Sequence, residues 1–378
     1  MRILYVLNSG QPGGMEQHVL DLVRGMISKD HTVYVWCAQG PIVEWYSRAG
    51  AKVTAVSVGI DIDLRYIFSL RNFLKVNKID VIHAHELKVV INALLAAFLA
   101  RTKVRISHTH TPISEWRVPN FKKFLNSKIN ALVVNWLSTK EIALTQSRLQ
   151  IKAKEGIHTN KLVVIPNCLD ASEFNFSTDK KKLYRSYILE KYSLPLENFI
   201  FGVVARTSEE KGHEVLINAF EGFVRRLEDP TKASLIIAGG GPLEGKVREL
   251  VLQKGLQNQV KITGRFSAED HKKYFAAFDC FVFPTLAEGF GIVLTEAMAS
   301  KLPAVVSDLP VLKEVGGDTI TYFKTGDAND LEQKLLAVYR NVDSFSQLAQ
   351  GAYRRVQDLF SVSKFTESYE KLYKDLLG

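Results

Sequence analysis

Short apolar runs, each followed by a longer stretch of helical spacing, recur along this chain in two successive series. Few folds accommodate that alternation: it calls for parallel strands covered by helices on both faces. In the first series residues 3–7, 32–37, 52–58, 81–84, 104–108, 142–145 and 162–165 read as strands. The loop Gly10-Gln-Pro-Gly-Gly14 follows the first of them, and Val19, Leu22, Val23 and Met26 then give a helix one apolar stripe. A strand, a glycine loop and a helix in that order open a Rossmann-like unit. The alternation breaks between Asp170 and Asn198, where Lys180-Lys-Lys182 and Pro195 intervene. It resumes with strands at 199–205, 234–238, 260–263, 280–283 and 304–307, and with a second glycine loop, Gly239-Gly-Gly-Pro242. The expectation is an α/β protein of two Rossmann-like domains, 1–170 and 198–359, joined by a linker at 171–197, with the last helix, 360–378, returning to the first domain. Two such domains facing across a cleft would present ligands to the carboxyl ends of their strands.

A chain of 378 residues is too long for one ordinary core, which agrees with two domains. Its 46% hydrophobic and 24% charged residues are the balance of a soluble globular protein. Cys37, Cys168 and Cys280 stand far apart with no C-x-x-C pair, so neither a disulfide framework nor a zinc site is suggested and a reducing compartment fits. The opening apolar run is too short for a signal peptide, and the longest one, 89–100, is interrupted by Asn92 and cannot span a bilayer. A cytoplasmic protein is expected, with peripheral attachment to the inner face of the membrane as the membrane-linked variant. Charge is uneven: residues 1–195 carry 27 Lys and Arg against 15 Asp and Glu, and residues 196–378 carry 22 against 25, giving the net +9. The basic first half suits an anionic membrane surface or a phosphate-bearing acceptor, whereas no nucleic-acid module is present and nucleic acid is not expected as a partner.

The segment Glu288-Gly-Phe-Gly-Ile-Val-Leu-Thr-Glu296 places two carboxylates eight residues apart around a glycine-flanked turn that opens a helix. An ionised carboxylate only accepts hydrogen bonds and so suits sugar hydroxyls. A helix N-terminus attracts phosphate instead. A nucleotide sugar carries both groups. Gly289 and Gly291 let backbone N–H groups approach a phosphate closely. Arg206 ends the strand at 199–205 and Lys211 follows just before Gly212, so two cations stand where a departing diphosphate could be neutralised. Solvated loop charges are the plain alternative for this pair, and an ordinary dipole partner is the alternative for Glu296.

Three further patterns carry two readings each. His108 and His110 end one strand on the same face, but two histidines with no third ligand in view make a poor metal site, and a buried histidine with a backbone partner is the ordinary alternative. Asp61-Ile-Asp63 spells D-x-D, an acidic pattern common by chance. Residues 116–130 carry Phe121, Phe124, Leu125 and Ile129 at helical spacing among Arg117, Lys122, Lys123 and Lys128. Such a helix either lies on a membrane surface or buries its stripe in the domain.

Taken in order, Gly202-Val-Val-Ala-Arg206, Lys211-Gly212, Gly239-Gly-Gly-Pro242, Gly264, Phe283-Pro284, Glu288-Gly-Phe-Gly291, Glu296-Ala-Met-Ala299 and Pro303 resemble family 4 of the retaining glycosyltransferases, which have the GT-B fold. Gly13-Gly14, His83-Ala-His85, His108-Thr-His110 and Val164-Ile-Pro-Asn167 extend the resemblance over essentially the whole chain. It implies that Glu296 accepts hydrogen bonds from the donor ribose and that Glu288 lies against the transferred sugar. Arg206 and Lys211 would hold the diphosphate, helped by backbone N–H groups of Gly14, Phe290 and Gly291, with Gly289 and Ile292 completing the donor loop. The backbone near Arg265 and Phe266 would receive the base. His110 would sit by the sugar and share the catalytic role with Glu288, Arg206 and Lys211, while Gly13, Glu16, Glu86 and His108 would lie on the acceptor side, with Glu115 a further candidate there. No metal and no cofactor are implied, and D-x-D is the metal motif of the other large glycosyltransferase fold.

Two positions depart from the family pattern: Cys168 stands where glycine usually follows Pro-Asn, and Gly240 where an acidic residue is common. The stretch Ser307-Asp-Leu-Pro-Val-Leu-Lys-Glu314 resembles a subgroup rich in mannosyltransferases. The function implied is transfer of a hexose, with retention, from a UDP- or GDP-sugar to a hydroxyl of a glycan or lipid-linked acceptor in cell-surface polysaccharide or glycolipid synthesis. No nucleophile for a double displacement is evident, and the resemblance implies a same-face route in which the leaving diphosphate takes the acceptor proton. A nucleotide-sugar 2-epimerase of the same fold and a non-catalytic nucleotide-sugar-binding protein are the alternatives.

Overall fold

The computed structural model describes residues 1–116 and 118–378 and divides into two units, Met1–Cys168 with Val362–Gly378, and Leu169–Ser361. Unit 1 runs β1 (Arg2–Val6), α1 (Gly14–Ile27), β2 (Thr32–Cys37), α2 (Ile42–Arg48), β3 (Lys52–Ala55), α3 (Leu64–Val76), β4 (Val81–His85), α4 (Leu87–Ala100), β5 (Val104–His108), α5 (Asn120–Leu137), β6 (Lys140–Ala143), α6 (Gln146–Lys154) and β7 (Leu162–Val164). Its seven strands are parallel in the order β3-β2-β1-β4-β5-β6-β7. The two-residue period of a strand sends successive side chains to opposite faces. Ile3 and Tyr5 of β1 therefore meet Val19, Leu22, Val23 and Met26 of α1, while Leu4 and Val6 join Leu70, Val90 and Leu94 on the other side.

Unit 2 runs α7 (Thr178–Lys191), β8 (Phe199–Val204), α8 (His213–Arg225), β9 (Ala233–Ala238), α9 (Glu244–Gln253), β10 (Val260–Ile262), α10 (Ala268–Ala277), β11 (Cys280–Phe283), α11 (Ile292–Ala299), β12 (Ala304–Ser307), α12 (Pro310–Gly316), β13 (Thr321–Phe323), α13 (Ala328–Arg340) and α14 (Val342–Leu359). Its parallel sheet has the order β10-β9-β8-β11-β12-β13. Gly202, inside β8, is required by close packing, because a Cβ there would lie 2.3 Å from the Phe278 ring. The final helix, α15 (Val362–Leu377), belongs to unit 1 and buries Phe365, Tyr369 and Tyr373 in the α1 side of its core.

Several expectations need correction. Residues 171–197 are not a bare linker: α7 packs on α10 within unit 2, where Lys191 pairs with Asp270 at 2.7 Å and Arg185 with Asp279 at 3.0 Å. Strand β13 was not expected, being three residues long at a sheet edge. Residues 56–58 leave the strand early. The D-x-D pair is structural: Asp63 caps α3 by accepting from Tyr66 N–H at 3.0 Å, and the buried Asn92 carboxamide holds the loop through Asp63 N–H and the Asp61 carbonyl. The apolar stripe of α5 is not buried in the domain. That helix packs through Asn130, Ala131 and Val134 and leaves Phe121 74%, Phe124 62% and Trp136 77% exposed. Arg117 lies outside the described residues. The three cysteines are buried, and no helix among the described residues is long and apolar enough to cross a membrane.

Candidate functional site

In unit 2 the carboxyl ends of β8 and β11 carry the two loops that the sequence singles out. Beyond β8, Arg206 is exposed and Lys211 precedes Gly212, which adopts φ +64° as α8 begins. Beyond β11, Thr285 Oγ1 donates to the Glu210 carbonyl at 2.9 Å and Leu286 N–H donates to the same carbonyl at 2.7 Å. A Cβ on Gly212 would lie 2.0 Å from the Pro284 carbonyl oxygen, so the close approach of the two loops requires glycine. This clamp brings Lys211 and Glu288 together: Lys211 Nζ donates to Glu288 Oε2 at 2.7 Å, with both side chains less than one-fifth exposed. The predicted cation and the predicted sugar-side carboxylate thus form one unit.

Gly291 sits at φ +94° as the N-cap of α11, and Phe290 is buried against Phe360 with ring centroids 5.4 Å apart. Gly289 N–H donates to Glu288 Oε1 at 3.3 Å, while Ile292 opens the helix. One helical turn further on, Glu296 is buried. Its Oε1 receives a hydrogen bond from His271 Nε2 at 3.0 Å, while its Oε2 has no hydrogen-bond partner among the described residues. A buried carboxylate oxygen without a donor is costly, and a ligand hydroxyl would satisfy it. Burial disfavours the charged His271 ring, yet the hydrogen bond to Glu296 and its negative charge outweigh burial and raise the histidine's pKa. His271 also stacks on Phe266, centroids 5.9 Å apart and planes 25° apart. Phe266, His271 and Glu296 thus form one continuous wall, with Arg265 exposed beside it. Gly240 packs against this corner, since a Cβ there would meet Arg265 Cγ at 2.7 Å.

In unit 1, Gly13 is the extended N-cap of α1 and Gly14 its first residue, and a Cβ on Gly13 would meet Glu16 Oε2 at 2.5 Å. Glu16 is buried in the first turn of the helix. Glu86 has φ +69°, strained for a non-glycine residue, at the junction of β4 and α4, and its Oε2 accepts from Asn8 N–H at 3.1 Å. Burial raises its pKa, against the hydrogen bond from Asn8 and with the charge of Glu16 adding to the rise. It lines a cavity of about 470 Å³ together with Asn8, Asp61, Lys88, Trp116 and Ile129. Glu115 is not among the lining residues and pairs with Arg148 instead.

The histidines form a cluster that the sequence reading had in pieces. His85 of β4 and His108 of β5 are register partners, and strand parity turns His83, His85 and His108 toward α1 and α15. His83 Nδ1 lies 2.7 Å from the Tyr373 hydroxyl. His110 stacks on His108 with centroids 4.0 Å apart, and its Nε2 lies 3.1 Å from His85 Nδ1. His18 of α1 stands edge-on to both His108 and His110. The expectation of no third ligand is therefore corrected, since His18 and His85 join the predicted pair. Burial lowers His18 to about 4, against the opposing hydrogen bond to the Asn167 side-chain oxygen, and holds His83, His85, His108 and His110 well below the ordinary range, with neighbouring imidazoles adding to the effect. The buried Lys152–Glu141 pair pins the turn between the two predicted histidines: Lys152 Nζ donates to the Thr109 carbonyl at 2.6 Å, and Thr109 Oγ1 donates to Glu141 Oε1 at 2.7 Å.

Sequence reasoning missed His271, His18 and the Glu210 carbonyl. None stands in a recognisable motif, and each acquires its partner only through tertiary packing.

Comparison with known proteins agrees with this division. The family model described as Glycosyltransferase Family 4 matches residues 12–173, and that described as Glycosyl transferases group 1 matches residues 185–355. The chain is 28% identical over 325 residues to EpsF of Bacillus subtilis (strain 168), whose own glycosyltransferase assignment is provisional, covering 81% of this chain and 79% of that protein. It is 24% identical over 330 residues to the Escherichia coli UDP-Gal:alpha-D-GlcNAc-diphosphoundecaprenol alpha-1,3-galactosyltransferase, covering 83% and 80%. The crystal structure of HepE from Anabaena in complex with UDP and glucose superposes with a TM-score of 0.85 at 20% identity, covering 99% of this chain and all of that one.

Proposed function

The chain belongs to the glycosyltransferases of the GT-B fold, and from that premise we propose that it transfers a hexose from a uridine diphosphate sugar to an acceptor hydroxyl, with retention and without a metal at the diphosphate. The observation that carries the donor reading is Glu296, a buried carboxylate with one oxygen held by His271 and the other without a donor among the described residues. A ribose diol supplies the hydroxyl it lacks. The Phe266 and His271 rings beside it suit a flat base. Lys211 and Arg206 supply the positive charge that a departing diphosphate needs, which is the largest electrostatic demand of the reaction. Glu288, held by Lys211, faces the developing positive charge on the sugar. The UDP-galactose named for the Escherichia coli relative and the UDP bound to HepE favour uridine over guanosine as the base.

The acceptor reading is a glycan carried on a lipid diphosphate, as named for the galactosyltransferase relative. The cavity lined by Glu86 and Trp116 offers a carboxylate for hydroxyls and an aromatic face for a sugar ring. Ile129 of α5 forms part of its wall, and α5 exposes Phe121, Phe124, Leu132 and Trp136 with Lys122, Lys123 and Lys128 on the same helix. A basic helix with exposed aromatic residues suits an anionic membrane surface, where such an acceptor resides.

The test is incubation of the protein with UDP-glucose, UDP-galactose and GDP-mannose, each with and without a polyprenyl-diphosphate-linked saccharide. Transfer with UDP release and an anomeric configuration matching the donor is the expected result. A product of inverted configuration overturns the retaining assignment, and epimerised donor without free UDP overturns the transferase itself.

A further inference from the structure

We propose that His18, His85, His108 and His110 bind one divalent transition-metal ion, of which zinc is the first candidate, and that this ion ties α1 to the ends of β4 and β5. One ring nitrogen from each of the four lies within 4.8 Å of the others. A tetrahedral zinc ion with bonds of about 2.0–2.1 Å needs its nitrogens about 3.4 Å apart, and His85 Nδ1 and His110 Nε2 already stand 3.1 Å apart, in a hydrogen bond that the ion would replace.

Hydrogen bonding points the same way. The Asn167 side-chain oxygen lies 2.8 Å from His18 Nδ1 and can only accept, so that nitrogen carries the proton and Nε2 keeps a lone pair. That Nε2 is buried and has no partner among the described residues, and the same holds for both ring nitrogens of His108. A wholly buried imidazole always has one N–H and one lone pair to satisfy, so leaving both nitrogens of His108 unmet is costly. A metal ion would accept the lone pair of His18 Nε2 and that of one His108 nitrogen. The arrangement at His18, a carboxamide oxygen fixing the far ring nitrogen, is how metal-ligating histidines are oriented. An all-imidazole set suits zinc, nickel, cobalt or copper and disfavours magnesium or calcium. All four ligands belong to unit 1, whereas Arg206 and Lys211 belong to unit 2, so the inference stands independently of the metal-free handling of the diphosphate.

The experiment uses the full chain without an affinity tag, stripped with chelator and titrated with cobalt(II) chloride. One equivalent per chain is expected to give the intense visible band of a tetrahedral cobalt site, and zinc chloride is expected to abolish it by displacement. His108→Ala should lose the band, while His158→Ala, an exposed histidine outside the cluster, should keep it. Because His108 is buried and its loss could disturb folding, Asn167→Leu provides a second variant that retains all four ligands. It is expected to weaken cobalt binding about 10- to 100-fold. A wild-type chain that gives no tetrahedral band, or a band of unchanged affinity in both His108→Ala and Asn167→Leu, overturns the proposal.

Discussion

Replacing Glu296 with glutamine tests the donor site at its most specific atom. The substitution keeps the shape, removes the charge, and puts an amide group at one of the two carboxylate oxygen positions. In the protein, Oε1 already serves His271, so the ribose diol gains chiefly the hydrogen bond to Oε2. A hydrogen bond to a charged acceptor contributes about 1.5–3 kcal/mol, and each 1.4 kcal/mol is tenfold in affinity. Glu296→Gln should therefore weaken UDP binding about 10- to 150-fold, read by isothermal titration calorimetry. The same titration with 2′-deoxy-UDP and 3′-deoxy-UDP completes a cycle. If the carboxylate holds the diol, the analogue lacking the bound hydroxyl loses affinity for the wild type and little more for the variant, because the two changes remove one interaction. Wild-type affinity in Glu296→Gln, or losses that add in full for both analogues, would falsify the assignment.

Three other outcomes follow from the same geometry. Lys211→Ala leaves the largely buried Glu288 carboxylate unpaired and removes a cation from the leaving group, so kcat should fall about 10²- to 10³-fold, with a smaller change in KM, in steady-state assays with a UDP-hexose. Glu141→Leu and Lys152→Met should each cost about 3–5 kcal/mol by stranding a buried charge, lowering Tm by about 10 °C, whereas the double variant should recover most of the loss; equal losses in all three would count against a paired charge. His271 has a pKa raised above its unfolded value, so its pairing with Glu296 stabilises unit 2 fully below about pH 6.5 and that contribution disappears as pH rises through the raised value. The stability gap between wild type and His271→Gln should accordingly shrink from about pH 6 to pH 9 in urea melts, and a gap that widens would reverse the sign of the coupling.

What could be read along the chain and what could not separates by the distance over which a residue finds its partner. Strands at 32–37, 280–283 and 304–307 were read with their observed bounds, because a strand buried on both faces leaves a nearly continuous apolar run. Edge strand β13 has no such run, and its existence depends on pairing with β12. Gly212 and Gly291 were legible as glycines beside charged residues, but the reason for Gly212 lies in the carbonyl of Pro284, some seventy residues away in the chain. The same holds at the sites. Glu288 and Glu296 announce themselves through spacing, while Lys211 becomes Glu288's partner and His271 becomes Glu296's only when four loops and helices of one sheet edge converge. The histidine cluster is the sharpest case. His83-x-His85 and His108-x-His110 are visible as two same-face pairs, and the in-register parallel pairing of β4 and β5 makes them one group. The fifth ring, His18, comes from a helix whose apolar stripe was read correctly but whose polar member on the sheet-facing side was passed over. A histidine facing a sheet from within an apolar stripe must have a partner, since burial leaves its N–H no water to bond. Here the partner lies at the strand ends beneath it, where β4 and β5 bring the other four rings together.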